Sequence, residues 1–101
     1  MRVVGWKTSS PSQTGRGYGI RISREDRDRF FDKNCLHVTI ELDEITVRIQ
    51  LSRSFWRDCI ELRGKEIGGW MIHRGLVPWP KGHPPKLRLE HLGNARFRLS
   101  E

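Results

Sequence analysis

The sequence predicts a β-rich α+β domain: a small open barrel of about six to seven mostly antiparallel strands with two short helices. Apolar and polar residues alternate along several short segments, which is typical of half-buried strands. Two other segments carry apolar residues at helical spacing, next to capping signals. With 101 residues the chain is large enough for one core and too small for two. We therefore expect a single domain over residues 1–101.

The most specific local signal lies in residues 19–31, where a short strand runs directly into a capped helix. Ser23 stands at the expected N-cap, and Asp26 follows three residues later in place of the usual glutamate. The helix then places Phe30 and Phe31 on one face. We expect these two rings to pack on the core.

The other strands are predicted from alternation alone. A first strand is expected over residues 1–6, and residues 37–42 and 45–51 form a hairpin with one wet face. Residues 86–92 and 95–99 alternate around a Gly-Asn pair and predict a second hairpin.

A second helix is predicted over residues 65–75, ending at a C-terminal glycine. Gly68 and Gly69 indicate that this helix is short or lets another backbone approach closely. Trp70 is expected in the core. Residues 76–85 hold four prolines and predict a rigid extended connection.

Charge is distributed unevenly along the chain. The net charge is +7 and the pI is about 10.3. Residues 1–24 contain five bases and no acid, whereas residues 25–44 hold seven acids against three bases. Basic surface is therefore expected away from one acidic segment. This polarity favours a polyanionic partner, although a basic protein without such a partner is the alternative.

Two connecting segments have the composition of nucleic-acid contacts. Residues 7–19 and 52–59 are rich in hydroxyl groups and cations and also contain aromatic rings. Such groups contact phosphates and bases. The first segment reads as an exposed, flexible connection or a disordered lead-in. The second reads as a contact loop or a packed connector, with Trp56 as a surface ring.

The order of elements and a series of short motifs carry a resemblance to a known fold. The motifs are Gly69-Trp70, Gly75-Leu76, Lys81-Gly82, Lys86-Leu87-Arg88-Leu89 and Phe97-Arg98-Leu99. The strand, capped helix and hairpin of the first half resemble the half-barrel of the swapped-hairpin transition-state regulators of bacteria. The whole series is similar to the DNA-binding pseudobarrel, which occurs in the plant B-three transcription-factor domain and in effector or target-recognition domains of some restriction endonucleases.

The resemblance implies a non-catalytic domain that binds double-stranded DNA, in a restriction-modification or regulatory system. It also implies that a nuclease domain or partner could accompany the chain. Two loops of that family grip the major groove like jaws, and they correspond to residues 7–18 and 52–65 here. The expected contact residues are Lys7, Ser9, Ser10, Gln13, Arg16, Tyr18, Arg53, Ser54, Trp56, Arg57 and Lys65. Among them, we expect Arg16 and Arg53 to reach base edges, and Lys7 and Arg57 to contact phosphates.

Catalytic and metal sites are not indicated. Cys35 and His37 form one close pair of metal ligands, whereas structural zinc sites use two such pairs. Asp43 and Glu44 have no nuclease-like lysine partner in a strand. We therefore expect no enzyme activity, no cofactor and no metal.

Two other functions stay open at this stage. Residues 77–85 could form a docking surface for another protein, and charge does not separate RNA from DNA. No apolar run approaches the roughly 18 residues of a membrane span, and the N-terminus lacks the apolar stretch of a signal peptide. With only two cysteines, a cytoplasmic location is expected. The sequence does not indicate the oligomeric state.

Overall fold

The computed structural model describes residues 1–101 and confirms a β-rich α+β fold. The strands are β1 (Arg2–Lys7), β2 (Tyr18–Arg21), β3 (His37–Leu42), β4 (Ile45–Gln50), β5 (Glu61–Arg63), β6 (Lys86–Gly93) and β7 (Arg96–Ser100). The helices are α1 (Arg24–Phe30), α2 (Arg53–Trp56) and α3 (Lys65–His73). The sequence predicted two helices, and the additional one, α2, is a single turn.

All seven strands belong to one sheet with the order β4-β3-β7-β6-β1-β2-β5. Neighbouring strands are antiparallel, except that β3 pairs with β7 in parallel. The sheet curls into a nearly closed barrel, and β4 and β5 remain as its two edges. This is the open pseudobarrel that the alternating segments predicted.

The core lies inside this barrel, where the inward residues of every strand meet. Twenty buried apolar residues form one cluster. Ile20, Ile40, Leu89 and Phe97 come from four different strands and are completely inaccessible. The polar residues that alternate with them point outward, so the barrel has a dry interior and a charged outer face.

Helix α1 forms as its capping signal predicts. The Ser23 Oγ accepts a hydrogen bond from the backbone N–H of Asp26 at 3.1 Å. Phe31 is buried and its ring stacks on that of Phe97, with 4.6 Å between centroids. Phe30 is half-buried at the edge of the same cluster. The prediction that both rings pack on the core is confirmed.

A buried arginine on α1 fixes the segment that follows β4. Arg27 is only 4% exposed. Its Nη1 donates to the backbone carbonyl oxygens of Phe55 at 3.1 Å and Arg57 at 3.2 Å. Phe55 is itself buried, so helix α2 is a packed element and not an open loop.

Helix α3 closes one end of the barrel. Trp70 is buried as predicted, and its indole N–H donates to Asp43 at 3.0 Å. The helix ends at His73, and Gly75 follows with a φ of +72°, the left-handed conformation expected after a C-cap. No helix of the structure is long and apolar enough to cross a membrane.

Candidate nucleic-acid interface

The largest group of basic side chains lies on the outer surface of four adjacent strands, β6, β1, β2 and β5. In the register of these strands Arg2 lies beside Arg88, Arg21 lies beside Glu61, and Lys86 faces Val4. The term outer basic face is used below for the cations of this surface together with Trp6 and Glu61. Its cations are Arg2, Arg21, Arg63, Lys86 and Arg88.

Strand alternation places these side chains on one surface. In β6, exposed Lys86 and Arg88 alternate with buried Leu87 and Leu89. In β1, Arg2 alternates in the same way with buried Val3. The apolar residues commit one side of each strand to the core, and the cations therefore share the other side.

The outer basic face carries a large excess of positive charge. It holds five cations against one carboxylate, Glu61; the next residue on the same side of β6, Glu90, is paired with Arg98 of β7 at 3.5 Å. Arg2, Lys86 and Arg88 form no ion pair within the chain. Three cations on two neighbouring strands are thus free to bind an external anion.

The neighbouring surface on β3 and β7 is different because its charges are neutralised. Glu41 accepts hydrogen bonds from Arg96 at 3.0 Å and from Arg98 at 3.2 Å. The hydrogen bond from Arg96, aided by that from Arg98, holds the pKa of Glu41 below its ordinary value. Since these arginines are already engaged, the unpaired cations along β7, β6 and β1 are those of β6 and β1.

One arginine of the outer basic face is held in place by two contacts. The guanidinium of Arg63 stacks over the Trp6 ring at 4.6 Å from its centroid. Its Nη2 also lies 3.2 Å from a carboxylate oxygen of Glu61, while the Nε of Arg21 lies 3.8 Å from the other oxygen. The Glu61 side chain is only 7% exposed, so the two guanidinium groups cover it.

The two segments predicted as jaws lie at opposite ends of β2 and β5. The β1–β2 loop, residues 8–17, leaves the sheet at the end where Gly19 pairs with Arg63. The β4–β5 connection, residues 51–60, enters at the other end, where Arg21 pairs with Glu61. The two loops therefore flank the strands that carry Arg21 and Arg63.

The β1–β2 loop is folded, in contrast to the flexible connection expected from its composition. Thr8 donates to the Gly17 carbonyl at 2.8 Å, and Ser12 donates to that of Arg16 at 2.8 Å. The Ser12 hydroxyl also accepts from the Arg16 N–H at 3.1 Å. Gly15 at the loop's turn is buried against α3. This backbone network holds Arg16 at a fixed position with its side chain exposed.

The expected contacts of the first segment divide between two environments. Ser9, Ser10, Gln13 and Arg16 are exposed, as a contact role requires. Lys7 ends β1 on the opposite side from Trp6, and its amine lies over the Trp79 ring at 5.2 Å. The expectation for Tyr18 was wrong, because this residue belongs to β2, is only 7% exposed and packs against Trp79.

The second segment is not the single loop that the sequence suggested. Residues 61–63 form β5, and this strand separates the expected contacts. Arg53 and Arg57 are exposed on one side of β5, together with half-buried Ser54 and Trp56. Trp56 packs on Phe55 edge to face, so the expected surface ring is partly a core contact. Lys65 begins α3 at the other end, beside the β1–β2 loop.

The outer basic face was not predicted from the sequence, because the contact residues were expected in the loops. The signal was available in the same alternation that predicted the strands. Once Leu87 and Leu89 are assigned to the core, Lys86 and Arg88 must point outward. Arg63 was harder to find, because a three-residue strand such as β5 has too few positions to establish a period.

Residues 77–85, the alternative docking segment, are partly engaged within the chain. The Trp79 ring is half-buried between Tyr18 and the Lys7 amine. The backbone of Pro85 accepts a hydrogen bond from Gly5 at 2.9 Å. The ring that a partner protein would use is therefore covered on one side by the chain itself.

Comparisons with protein-family models, with curated proteins and with solved structures found no match to this chain. The choice between functions consequently rests on local geometry and charge. Both features single out the outer basic face, with exposed loop arginines at either end of β2 and β5.

Proposed function

We propose that this domain binds double-stranded DNA through the outer basic face and the two loops beside it, and that it acts in recognition without catalysis. The observation that carries the proposal is the set of three unpaired cations, Arg2, Lys86 and Arg88, on adjacent strands. Unpaired cations release counterions from the phosphate backbone when they bind it, and this release supplies the sequence-independent affinity for DNA.

The basic face includes an edge of the sheet. Strand β5 is the edge strand and β2 lies beside it, about 4.8 Å away, so we propose that these two strands (the β2–β5 ribbon) enter a major groove about 12 Å wide edge first. Strands β1 and β6 continue the same surface outward from this ribbon. Arg2, Lys86 and Arg88 would then lie over phosphates at the side of the groove.

The geometry favours B-form DNA over double-stranded RNA. The major groove of A-form RNA is deep and narrow, and side chains do not reach its bases. A ribbon that carries Arg21 and Arg63 on its outer surface would have no groove to enter. The flanking loops add Arg16 and Arg53, both exposed and without ion pairs, at opposite ends of the ribbon.

The proposed role follows from the resemblance as well as from the charge. Recognition domains of the DNA-binding pseudobarrel type serve restriction-modification or regulatory systems, and a nuclease domain or partner would supply any cleavage. In this chain the acidic residues Asp43 and Glu66 lie with Trp70 and His73 around a separate cavity of about 540 Å³ beside α3. That acidic surface is expected to face away from DNA.

NMR titration of the labelled domain tests the proposal. A random-sequence DNA duplex should shift the signals of Arg2, Arg63 and Arg88 and of the exposed tips of both loops. Signals of Asp43 and Glu66 should stay in place. An RNA duplex of the same sequence is the control and should bind more weakly. Shifts confined to residues 77–85, or no shifts at low salt, would refute the proposal.

A further inference from the structure

The contacts of Arg63 distinguish it from the other cations of the outer basic face. Arg2, Lys86 and Arg88 have no partners within the chain. Arg63, in contrast, is stacked on Trp6 at 4.6 Å and paired with Glu61 at 3.2 Å. A mobile cation can contact a phosphate from many directions. Hydrogen bonds to a base edge require donors in a fixed orientation, which a guanidinium held in place provides.

The sheet register explains how Arg63 reaches Trp6. Gly19 pairs with Trp6 on one side and with Arg63 on the other. Gly19 lets β5 lie close to β2, because a Cβ at this position would be 2.4 Å from the Leu62 carbonyl oxygen and 3.1 Å from the Arg63 Cα. The Arg63 guanidinium extends past Gly19 and lies on the indole ring. A larger residue at position 19 would displace the β5 backbone that carries Arg63.

Glu61 fixes the other end of the arrangement. Its carboxylate is nearly buried and contacts Arg63 and Arg21 through different oxygens, at 3.2 Å and 3.8 Å. Both arginine side chains nevertheless remain more than half exposed, at 51% and 58%. Stacking and ion pairing thus restrict the Arg63 rotamers before any ligand binds, while part of the guanidinium stays accessible.

We infer that Arg63, held by Trp6 and Glu61, reads a guanine edge in the major groove. The inference rests on the DNA binding proposed above. A guanidinium donates two parallel hydrogen bonds to guanine O6 and N7, which no other base offers in the same positions. Arg63 lies on β5, the edge strand of the sheet and the part that enters the groove in the proposed complex. Glu61 is a positioning residue in this arrangement, and it acts through Arg63.

A selection experiment tests this role with paired conservative variants. The parent, Arg63→Lys and Arg88→Lys are each incubated with a pool of duplexes that contain a randomised central segment, and the bound duplexes are sequenced. The parent should enrich a motif with at least one invariant G·C pair. Arg63→Lys keeps the positive charge but removes the two parallel N–H donors of the guanidinium. The preference for G·C over other base pairs at that position should therefore fall about 5- to 150-fold. Arg88→Lys should enrich the motif of the parent.

Glu61→Gln separates positioning from general binding. This variant removes the negative charge that lies between Arg21 and Arg63, so it should bind the unselected pool at least as tightly as the parent. Its preference at the G·C pair should nevertheless fall, because Arg63 has lost one of its two supports. A residue that only stabilised the fold would change affinity for all duplexes together, and thermal melts of each variant monitor that effect.

The outcomes distinguish this inference from the proposed function. If the parent binds no duplex at low salt, DNA binding itself is refuted. If the parent binds the pool but enriches no G·C pair, or if Arg63→Lys enriches the parent's motif unchanged, DNA binding stands and the role of Arg63 is refuted.

Discussion

Gly15 in the β1–β2 loop lies directly against Gly68 of helix α3. A Cβ placed on Gly68 would be 1.9 Å from the Gly15 carbonyl oxygen, far closer than any real contact. Gly15 itself has a φ of +104°, a conformation that glycine adopts at little cost. The two glycines together let the loop backbone rest on the helix, and this contact holds Arg16 beside the β2–β5 ribbon.

The Gly15–Gly68 contact predicts opposite effects for two neighbouring glycines of one helix. Gly68→Ala should destabilise the domain by at least about 1–3 kcal/mol, because backbone and not a flexible side chain stands in the way. Gly69→Ala is the matched control: a Cβ there meets nothing within 4 Å. It should stabilise the helix by about 1 kcal/mol. Urea unfolding of both variants measures the difference, and equal effects would contradict the packing described.

Trp70 is expected to be one of the most costly residues to truncate. It is 7% exposed in the core, so Trp70→Ala should cost about 3–5 kcal/mol. The free energy of unfolding of a domain of this size is about 5–10 kcal/mol, so this loss approaches unfolding. Trp70→Phe is the control, since it keeps an aromatic ring in the core and loses the rest of the indole together with the N–H donated to Asp43. An unchanged melting temperature for Trp70→Ala would mean that the ring lies on the surface.

Asp43 should make the stability of the domain depend on pH in the acid range. The hydrogen bond from Arg74, with help from the Trp70 indole, holds the pKa of Asp43 below its ordinary value of 3.8. The folded state therefore binds fewer protons than the unfolded state, and stability is lost as pH falls through the folded-state pKa. The contribution is fully present above the ordinary pKa.

Asp43→Asn tests this dependence without adding backbone strain, because asparagine tolerates the φ of +58° found there. Its melting temperature should lie below that of the parent near neutral pH, and the gap should narrow below about pH 4. Glu44→Gln is the control, since Glu44 is exposed and unpaired. A gap that stayed constant down to low pH would rule out the titration of Asp43 as its source.

The loop cations should differ in their effect on DNA binding. Arg16→Ala and Arg53→Ala should each weaken binding, by about 1–3 kcal/mol if the side chain reaches a base edge. Arg57→Ala should weaken all sequences alike and reduce the salt slope by about one. Lys7→Ala should have a smaller effect, because the Lys7 amine lies over Trp79 on the other side of β1. Fluorescence anisotropy with specific and scrambled duplexes measures the DNA affinity of the four variants, and thermal melts check that each variant is folded. Parent-like binding by both Arg16→Ala and Arg53→Ala would show that these loops do not grip DNA.

Periodicity predicted the fold well because one side of most strands is committed to the core. The hairpin of residues 37–42 and 45–50 follows strict alternation, and the Ser23 cap forms the predicted hydrogen bond. Strand β5 was missed because three residues cannot display a period, and its presence separates Lys65 from Arg53. Tyr18 was misassigned because composition cannot show where a polar loop ends and a strand begins.

The candidate site was predicted only in part. Arg16 and Arg53 lie exposed near the ribbon as a contact role requires, but the grouping of Arg2 with Arg88 depends on which strands pair. Those two residues are far apart in the sequence and meet because β1 pairs with β6. Such a juxtaposition is a property of topology, and no local pattern contains it. The two glycines of α3 predicted that another backbone could approach this helix closely, but the sequence did not indicate that this backbone would be that of Gly15.

The salt dependence of duplex binding tests the proposed function most directly. If the domain engages four to six phosphates, the logarithm of its affinity for a random-sequence duplex should fall with the logarithm of salt at a slope of roughly −4 to −5. Replacing Arg2, Lys86 and Arg88 together by glutamine should reduce this slope by about three while the variant stays folded. Tight binding with a slope near zero, or an unchanged slope in the triple variant, would contradict DNA binding through the outer basic face.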